Sequence, residues 1–480
     1  MGKKSTNNNF PPHSLVLASL LLSIILWLLS SYRHYLLQSN AFDLGIFDQF
    51  MWLESNGLDQ PSSLLGLRML ADHGAFILLP ISVLYKLLPG PNTLLAIQAI
   101  ALAFTSLPLW TISKKENATD FQSWSICITW WLSPALFNGN LFDFHPEVCA
   151  LPLLGYLFVF LKDKKWTLVA IMAFLCLLTR DGMILATLGI SLTLLARKDI
   201  LISGTIAAIS LSWISFLSLF LYPSLGKKGD AIHAAGRYSH LGNSIGDFFE
   251  RLTINPGDLV QHTQPLNNLF YLLILFAPFL LLILKSDKTI LLGTFPLILS
   301  NLLSSNFSQK TLIHHYSLPI VLIIIAGTIT NENLKSNKVG YGSRYNLILV
   351  GICWCLFAKP GFFTDTYRTR VDMIKNVNIA KNIILNEDKI ITSSYLAPHF
   401  TNRASIIFPS HKQEIDTILE EYNVILLKPR DPGWGSSKEL QDKILNHARL
   451  NGWNCKDMGS ELSLCKNEFF KTPERSNYSP

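Results

Sequence analysis

The stretch Ala41–Trp52, AFDLGIFDQFMW, places two carboxylates, Asp43 and Asp48, in an apolar and aromatic run just beyond the first apolar segment. An acidic side chain at the boundary of a membrane is costly, by about 2.5–3.5 kcal/mol at depth, unless it faces a cavity or a partner. Asp43 is therefore a candidate functional residue. For Asp48 the pattern favours a structural role, in which the carboxylate caps or solvates a short interfacial helix.

The composition around this stretch is that of a membrane protein. Of 480 residues, 49% are hydrophobic and only 15% are charged, and the mean hydropathy is +0.32. Several apolar runs approach the length of about 20 residues that crosses a bilayer as a helix. The net charge of +7 follows from Lys and Arg in cytoplasmic loops and predicts no nucleic-acid partner.

The sequence predicts an all-α polytopic membrane protein with about eleven spans and a cytoplasmic N-terminus, residues 1–14. The membrane domain covers 15–358, with outer loops at 33–92 and 223–267. The run 75–88 is short and carries Pro80 and Lys86, which predicts a juxtamembrane or re-entrant helix; a full crossing there would invert every later loop. The predicted spans are 15–32, 93–113, 122–138, 147–161, 167–178, 182–196, 200–221, 268–284, 289–305, 316–330 and 346–358.

The tail, 360–480, has a different pattern. Short apolar runs at 389–394, 404–409 and 423–428 alternate with helix-like segments such as Ser437–Leu450, which predicts a small α/β domain. Positive-inside parity places this domain outside the cytoplasm. There Cys455 and Cys465 are either a disulfide or two free thiols.

Polar residues gather at the ends of spans on the predicted outer face. Pro146 suits the first turn of a helix, and the block around it combines carboxylates with an imidazole. Such a set could supply acid–base chemistry or bind a hard divalent cation, although the adjacent histidines lack metal-ligand spacing. A structural ion pair between Asp143 and Arg180, in solvated loops, is the alternative. The candidates here are His73, Asp143, His145, Glu147, Arg180, Asp181, His314 and His315.

Six segments together resemble the bacterial and archaeal domain-of-unknown-function family 2079 (DUF2079), whose members are multi-pass membrane proteins without a settled activity. The resemblance covers about residues 30–430. The segments are FDLGIFDQFMW (42–52), HGAFILLPISVLYKLLP (73–89), SPALFNGNLFDFHPE (133–147), LLTRDG (177–182), HHYSLPI (314–320) and YLAPHFTNRASIIFP (395–409).

The layout is also similar, at a distance, to GT-C membrane glycosyltransferases, which use sugars linked to polyprenyl phosphate. This resemblance implies that Asp43 acts as a general base or holds a cation such as Mg or Mn. It implies that Asp143, His145 and Glu147 orient the reacting groups. Arg180 and the basic residues Lys227, Lys228 and Arg237 would meet a lipid phosphate, since Arg binds phosphate through its forked donors. The tail lacks a WWDYG motif, which argues against asparagine glycosylation.

The resulting hypothesis is a GT-C-like transferase at the outer face of a bacterial plasma (inner) membrane, in contact with membrane lipids. One alternative is a non-enzymatic transporter or a lipid- or envelope-binding protein. Transporters typically place ionisable residues near the membrane midplane and consist of two halves with repeated structure. Here the spans are almost free of charge in their middles, and the sequence shows no clear internal repeat. A partner-binding tail on a membrane anchor is the third hypothesis, although eleven spans exceed what an anchor needs.

Overall fold

The computed structural model describes residues 10–226, 237–242, 245–254, 257, 261–284, 288–329, 344–410 and 414–468. The chain divides into two units. The first comprises Met1–Ser30, Met69–Ile81 and Leu94–Pro360, and the second comprises Ser31–Arg68, Ser82–Thr93 and Gly361–Pro480. The second unit thus contains the predicted tail domain and also two segments of the predicted outer loop 33–92.

Apolar helices dominate the chain and confirm a polytopic helical membrane protein. In the described residues, five helices are long and apolar enough to cross a bilayer: His13–Tyr35, Pro91–Lys115, Ile200–Ser224, Pro265–Ile283 and Arg344–Arg368. Shorter apolar helices cover Leu78–Leu87, Trp166–Leu177, Asp181–Ala196, Ile290–Leu303 and His315–Ile329. Because these are shorter than a typical span of about 20 residues, the count of eleven crossings stays a prediction.

One predicted span is divided in two. The helix that was expected over 122–138 ends at Trp131, and a second helix, Pro134–Leu141, follows after Ser133. Proline has no N–H donor and fits the first turn of a helix, so Pro134 begins a new helix here. The remaining helix of this region is Ala150–Lys162, and Ile245–Ile254 forms a helix inside the predicted loop 223–267.

The first unit packs its helices closely around one buried helix. Every residue of Leu318–Ile329 is buried, as expected for a helix that is apolar on all sides. A Cβ atom built on Gly189 would lie 2.1 Å from the carbonyl oxygen of Gly293. Glycine at position 189 therefore lets its backbone approach that of Gly293 to a distance that a side chain would prevent.

The second unit contains a five-stranded sheet. Its strands are β1 (Ile390–Thr392), β2 (Ile406–Ile407), β3 (Val424–Leu427), β4 (Asn454–Asp457) and β5 (Ser463–Lys466), in the order β2-β1-β3-β5-β4. β1 is parallel to β2 and β3, whereas β5 is antiparallel to β3 and β4. This sheet, with helices Ile374–Ile383, Ile415–Glu421 and Lys438–Leu450, confirms the small α/β tail.

The opening stretch of the sequence belongs to this second unit. Ala41–Gly45 forms a π-helical turn and Ile46–Ser55 an α-helix. The Ala41 N–H donates to the Ser394 carbonyl at 2.8 Å. The Ser63 hydroxyl donates to the carbonyl of Ile406 and accepts from its N–H, both at 2.8 Å, so it satisfies backbone groups of the edge strand β2.

Candidate functional site

Three similar turns in the first unit hold ionisable side chains at the heads of apolar helices. Short 3₁₀ helices at Pro146–Cys149, Asp181–Met183 and His315–Ser317 each follow a residue with an extended backbone. Each leads directly into an apolar helix, the last being Leu318–Ile329. Three parts of the chain that are distant in sequence thus carry their polar residues at the same place relative to a helix, in the turn just before it begins.

Glu147, Arg180 and His315 form the centre of this group. Arg180 Nη1 donates to Glu147 Oε1 at 2.5 Å, and His315 Nε2 lies 2.8 Å from the same oxygen. All three side chains are largely buried, with exposures of 9%, 14% and 4%. A buried charge is stable only when it is paired, so the carboxylate and the guanidinium maintain each other's ionised state.

A second set of contacts extends from Arg180. Its Nη2 lies 2.9 Å from His73 Nε2, and His73 Nδ1 lies 3.2 Å from Asp181 Oδ1. The other Asp181 oxygen accepts from the Tyr222 hydroxyl at 3.0 Å. Because Arg180 only donates, His73 must accept at Nε2 and carry its proton on Nδ1, toward Asp181.

Aromatic contacts surround His315. The His145 ring stacks on it with centroids 3.7 Å apart, and the Tyr316 ring lies at 4.0 Å. Arg237 is 5.4 Å from the centroid of Tyr316 and donates to its hydroxyl at 2.8 Å. The cluster therefore brings a second guanidinium to the same group of side chains.

The contacts of His315 determine which of its ring nitrogens carries a proton. Nε2 lies 2.8 Å from Glu147 Oε1 and 3.4 Å from Arg180 Nη1. The shorter contact is with a carboxylate oxygen, which only accepts, so Nε2 donates to Glu147. In the neutral ring, Nδ1 then presents a lone pair. His315 Nδ1 and Glu147 Oε2 are both buried and have no hydrogen-bond partner among the described residues. Two unmatched acceptors in one buried cluster fit a ligand hydroxyl or a water molecule.

The structure thus brings together His73, His145, Glu147, Arg180, Asp181 and His315, with Arg237 beside them. Two other candidates, Asp143 and His314, form hydrogen bonds in the neighbouring turns. Asp143 has a positive φ of 51°, and its carbonyl accepts from Gln98, whose own Oε1 accepts from the His145 N–H. His314 lies 2.9 Å from the Thr311 hydroxyl. Lys227 and Lys228 lie outside the described residues.

Asp43 and Asp48 belong to the second unit. Asp43 is half-buried in the π-helical turn. Asp48 contradicts the prediction of a capping or solvated role, because only 1% of it is exposed. It accepts from Tyr85 at 2.8 Å and from Thr401. Burial raises its pKa to about 7, although both hydrogen bonds act in the opposite direction. Tyr222 and Gln98 were not predicted to be part of the group of contacts in the first unit, because nothing in the sequence pattern distinguishes them from other residues of their type.

A metal site does not emerge from this geometry. In the described part of the chain, no group of three or more His, Cys, Asp or Glu side chains is arranged to hold a metal ion. The expectation of a divalent cation therefore has no matching set of three such ligands among the described residues.

The chain belongs to the DUF2079 family of predicted membrane proteins, whose family model matches residues 33–464. No protein of curated function matches it in sequence. Its fold is similar to that of ArnT from Cupriavidus metallidurans, a GT-C glycosyltransferase whose crystal structure contains undecaprenyl phosphate. The TM-score is 0.52 at 11% identity, over 95% of this chain and 98% of that one. At this identity the likeness is one of fold.

Proposed function

We propose that this DUF2079 protein is a GT-C-like glycosyltransferase that takes a sugar from a polyprenyl-phosphate carrier at the outer face of a bacterial plasma membrane. The observation that carries the proposal is the buried Glu147–Arg180–His315 cluster, at the heads of helices in a chain with a GT-C fold. ArnT bound to undecaprenyl phosphate supports the choice of lipid carrier.

In this proposal the Glu147–His315 pair handles the proton. The acceptor hydroxyl gives its proton to His315 Nδ1 as its oxygen bonds to the sugar. Glu147, which accepts from Nε2 at 2.8 Å, then stabilises the imidazolium that forms. A carboxylate behind a histidine base plays this part in catalytic triads. His145, stacked on the same ring, fixes its orientation.

The leaving group is the polyprenyl phosphate, which departs with the electron pair of the broken sugar–oxygen bond. Arg180 uses two of its five N–H donors toward Glu147 and His73, so donors remain on the same planar group for a phosphate oxygen. Arg237 adds a second positive charge. The N-terminal ends of the adjoining helices favour an anion as well.

Asp43 is a separate proposal. Its position after the first span suggests the alternative to His315, in which Asp43 is the general base toward the acceptor, or else a cation ligand. We expect Asp43→Asn to abolish activity while the protein still folds. Activity equal to wild type would remove Asp43 from the mechanism.

The decisive experiment measures transfer of labelled sugar from a panel of polyprenyl-phosphate donors by the purified full chain in lipid. We expect turnover by the wild type and a loss of about 10²–10⁴-fold in His315→Gln, the usual contribution of a general base. Asp120→Asn, at an exposed helix start, serves as the control. Full activity in His315→Gln would contradict the assigned base. Saturable lipid binding without turnover for any donor would favour a lipid- or envelope-binding protein.

A further inference from the structure

The second unit contains a cavity that the proposed reaction does not use. Its volume is about 570 Å³, within the range of about 300–1,000 Å³ that is typical of small-molecule sites. It is lined by residues that are distant in sequence, among them Asp48, Tyr85, Lys381 and His399. All belong to the second unit.

Lys381 gives this cavity its positive charge. Its ammonium group contacts His399 Nδ1 at 3.3 Å, and it forms no ion pair with a carboxylate of the described residues. Asp48 is the only carboxylate among the described residues that line the cavity, and its two oxygens already accept from Tyr85 and Thr401. Desolvation lowers the pKa of Lys381, although the residue as a whole is exposed; the direction agrees with a cation that lacks a counter-charge.

His399 adds a second donor among the residues that line the cavity. Since Lys381 donates to Nδ1, the neutral ring carries its proton on Nε2. That Nε2 atom is buried and has no hydrogen-bond partner in the described part of the chain. The ring is held in place by stacking on His34, with centroids 4.1 Å apart, and His34 Nδ1 in turn lies 3.1 Å from the Ser39 hydroxyl. A buried N–H without an acceptor is unfavourable, so a ligand acceptor would complete it.

The remaining lining combines amides with aromatic rings. Asn378 precedes Lys381 by three residues on the helix Ile374–Ile383, which places both side chains on one face. Trp52 and Tyr35 line the same cavity. Amides bind hydroxyl groups, and aromatic rings pack against the apolar faces of other molecules.

We propose that this cavity binds a small saccharide that carries an oxyanion, either a phosphate or a carboxylate. The Lys381 ammonium and the His399 Nε2–H hold the oxyanion, and the Asn378 amide contacts hydroxyl groups. This assignment does not depend on transferase activity, because it concerns binding at a site in the other unit.

The test is calorimetric titration of the full chain in phosphatidylcholine nanodiscs with glucose 1-phosphate, glucuronate and neutral glucose. We expect saturable binding of the two anions and much weaker binding of glucose. Lys381→Met should weaken anion binding by about tenfold or more, the effect of losing one charged hydrogen bond. Lys375→Met removes an exposed lysine from the same helix and should bind like wild type.

His399 provides the second comparison. His399→Phe keeps a ring for stacking but loses the N–H, so we expect weaker anion binding, which His399→Gln should partly restore. If undecaprenyl phosphate in the nanodiscs blocks glucose 1-phosphate in a manner that depends on Lys381, the oxyanion comes from a lipid and the site assignment stands. Equal affinities for glucose and both anions, or equal effects of the two lysine substitutions, would overturn the proposal. So would the absence of saturable binding of both anions to the wild type.

Discussion

Glu147 and Arg180 depend on each other because neither charge is exposed enough for water to replace its partner. Removing the carboxylate alone, in Glu147→Gln, leaves the buried guanidinium without its 2.5 Å counter-charge. The expected loss is about 3–5 kcal/mol of unfolding free energy, the usual cost of breaking a buried ion pair from one side. Denaturant unfolding of the protein in detergent measures it.

Asp120→Asn is the matched control for this prediction. Asp120 pairs with Lys114 at 3.0 Å, but its side chain is 80% exposed. An exposed pair contributes about 0–1 kcal/mol, so we expect little change. If Glu147→Gln proves as mild as Asp120→Asn, the cluster is hydrated in solution and its description as a buried pair is wrong.

Asp48 makes stability depend on pH, with a sign that follows from burial. Its pKa in the folded state is raised from 3.8 to about 7, so the folded protein keeps a proton that the unfolded chain has lost. Stability from this group is therefore greatest in acid and falls as the pH rises from about 4 to about 7. Each pKa unit corresponds to about 1.4 kcal/mol. Asp48→Asn should remove this dependence.

The measurement is the melting temperature of the wild type and of Asp48→Asn across this pH range in one detergent. Relative to the variant, the wild type should lose stability as the pH increases. Asp120→Asn should run parallel to the wild type throughout. Parallel curves for Asp48→Asn as well would mean that Asp48 is already ionised in the folded protein.

At the scale of elements, apolar patterning predicts what hydrophobic burial creates. The runs 389–394, 404–409 and 423–428 contain the strands β1, β2 and β3, and all three strands are buried throughout. The strand β4, Asn454–Asp457, was not predicted, because its residues are polar and mostly exposed. This strand is held by pairing with β5 and by the disulfide between Cys455 and Cys465. Neither interaction produces a run of apolar residues that a sequence pattern could detect.

The candidate site divides along similar lines. His73, Glu147, Arg180 and His315 were predictable because each lies at the end of an apolar run, where helices of a bundle return to the same face. Asp48 was not, because its burial depends on Thr401, 353 residues away in sequence. A single sequence shows where a carboxylate stands in its helix, but a partner so distant becomes visible only after the chain has folded.

At the scale of the whole molecule, two independent features favour a tail outside the cytoplasm. Lysine-rich ends such as KDKK (162–165) follow the positive-inside rule. The disulfide between Cys455 and Cys465 belongs to an oxidising compartment, because cytosolic thiols are kept reduced. The lysines place the 162–165 loop in the cytoplasm, and the disulfide places the tail outside it. Together they predict that the two segments lie on opposite sides of the membrane.

Cysteine labelling with a membrane-impermeant maleimide tests this orientation in intact cells. In a Cys355→Ser background, which removes the exposed free thiol, we expect Glu420→Cys on the tail helix Ile415–Glu421 to react at once. Lys165→Cys, exposed in the lysine-rich loop, should react only after the membrane is permeabilised. The reverse order would place the tail inside, which would require one more or one fewer crossing before it. The first change to the predicted topology would then be to make the Leu78–Leu87 helix a full membrane crossing, because a crossing there inverts every later loop and the tail.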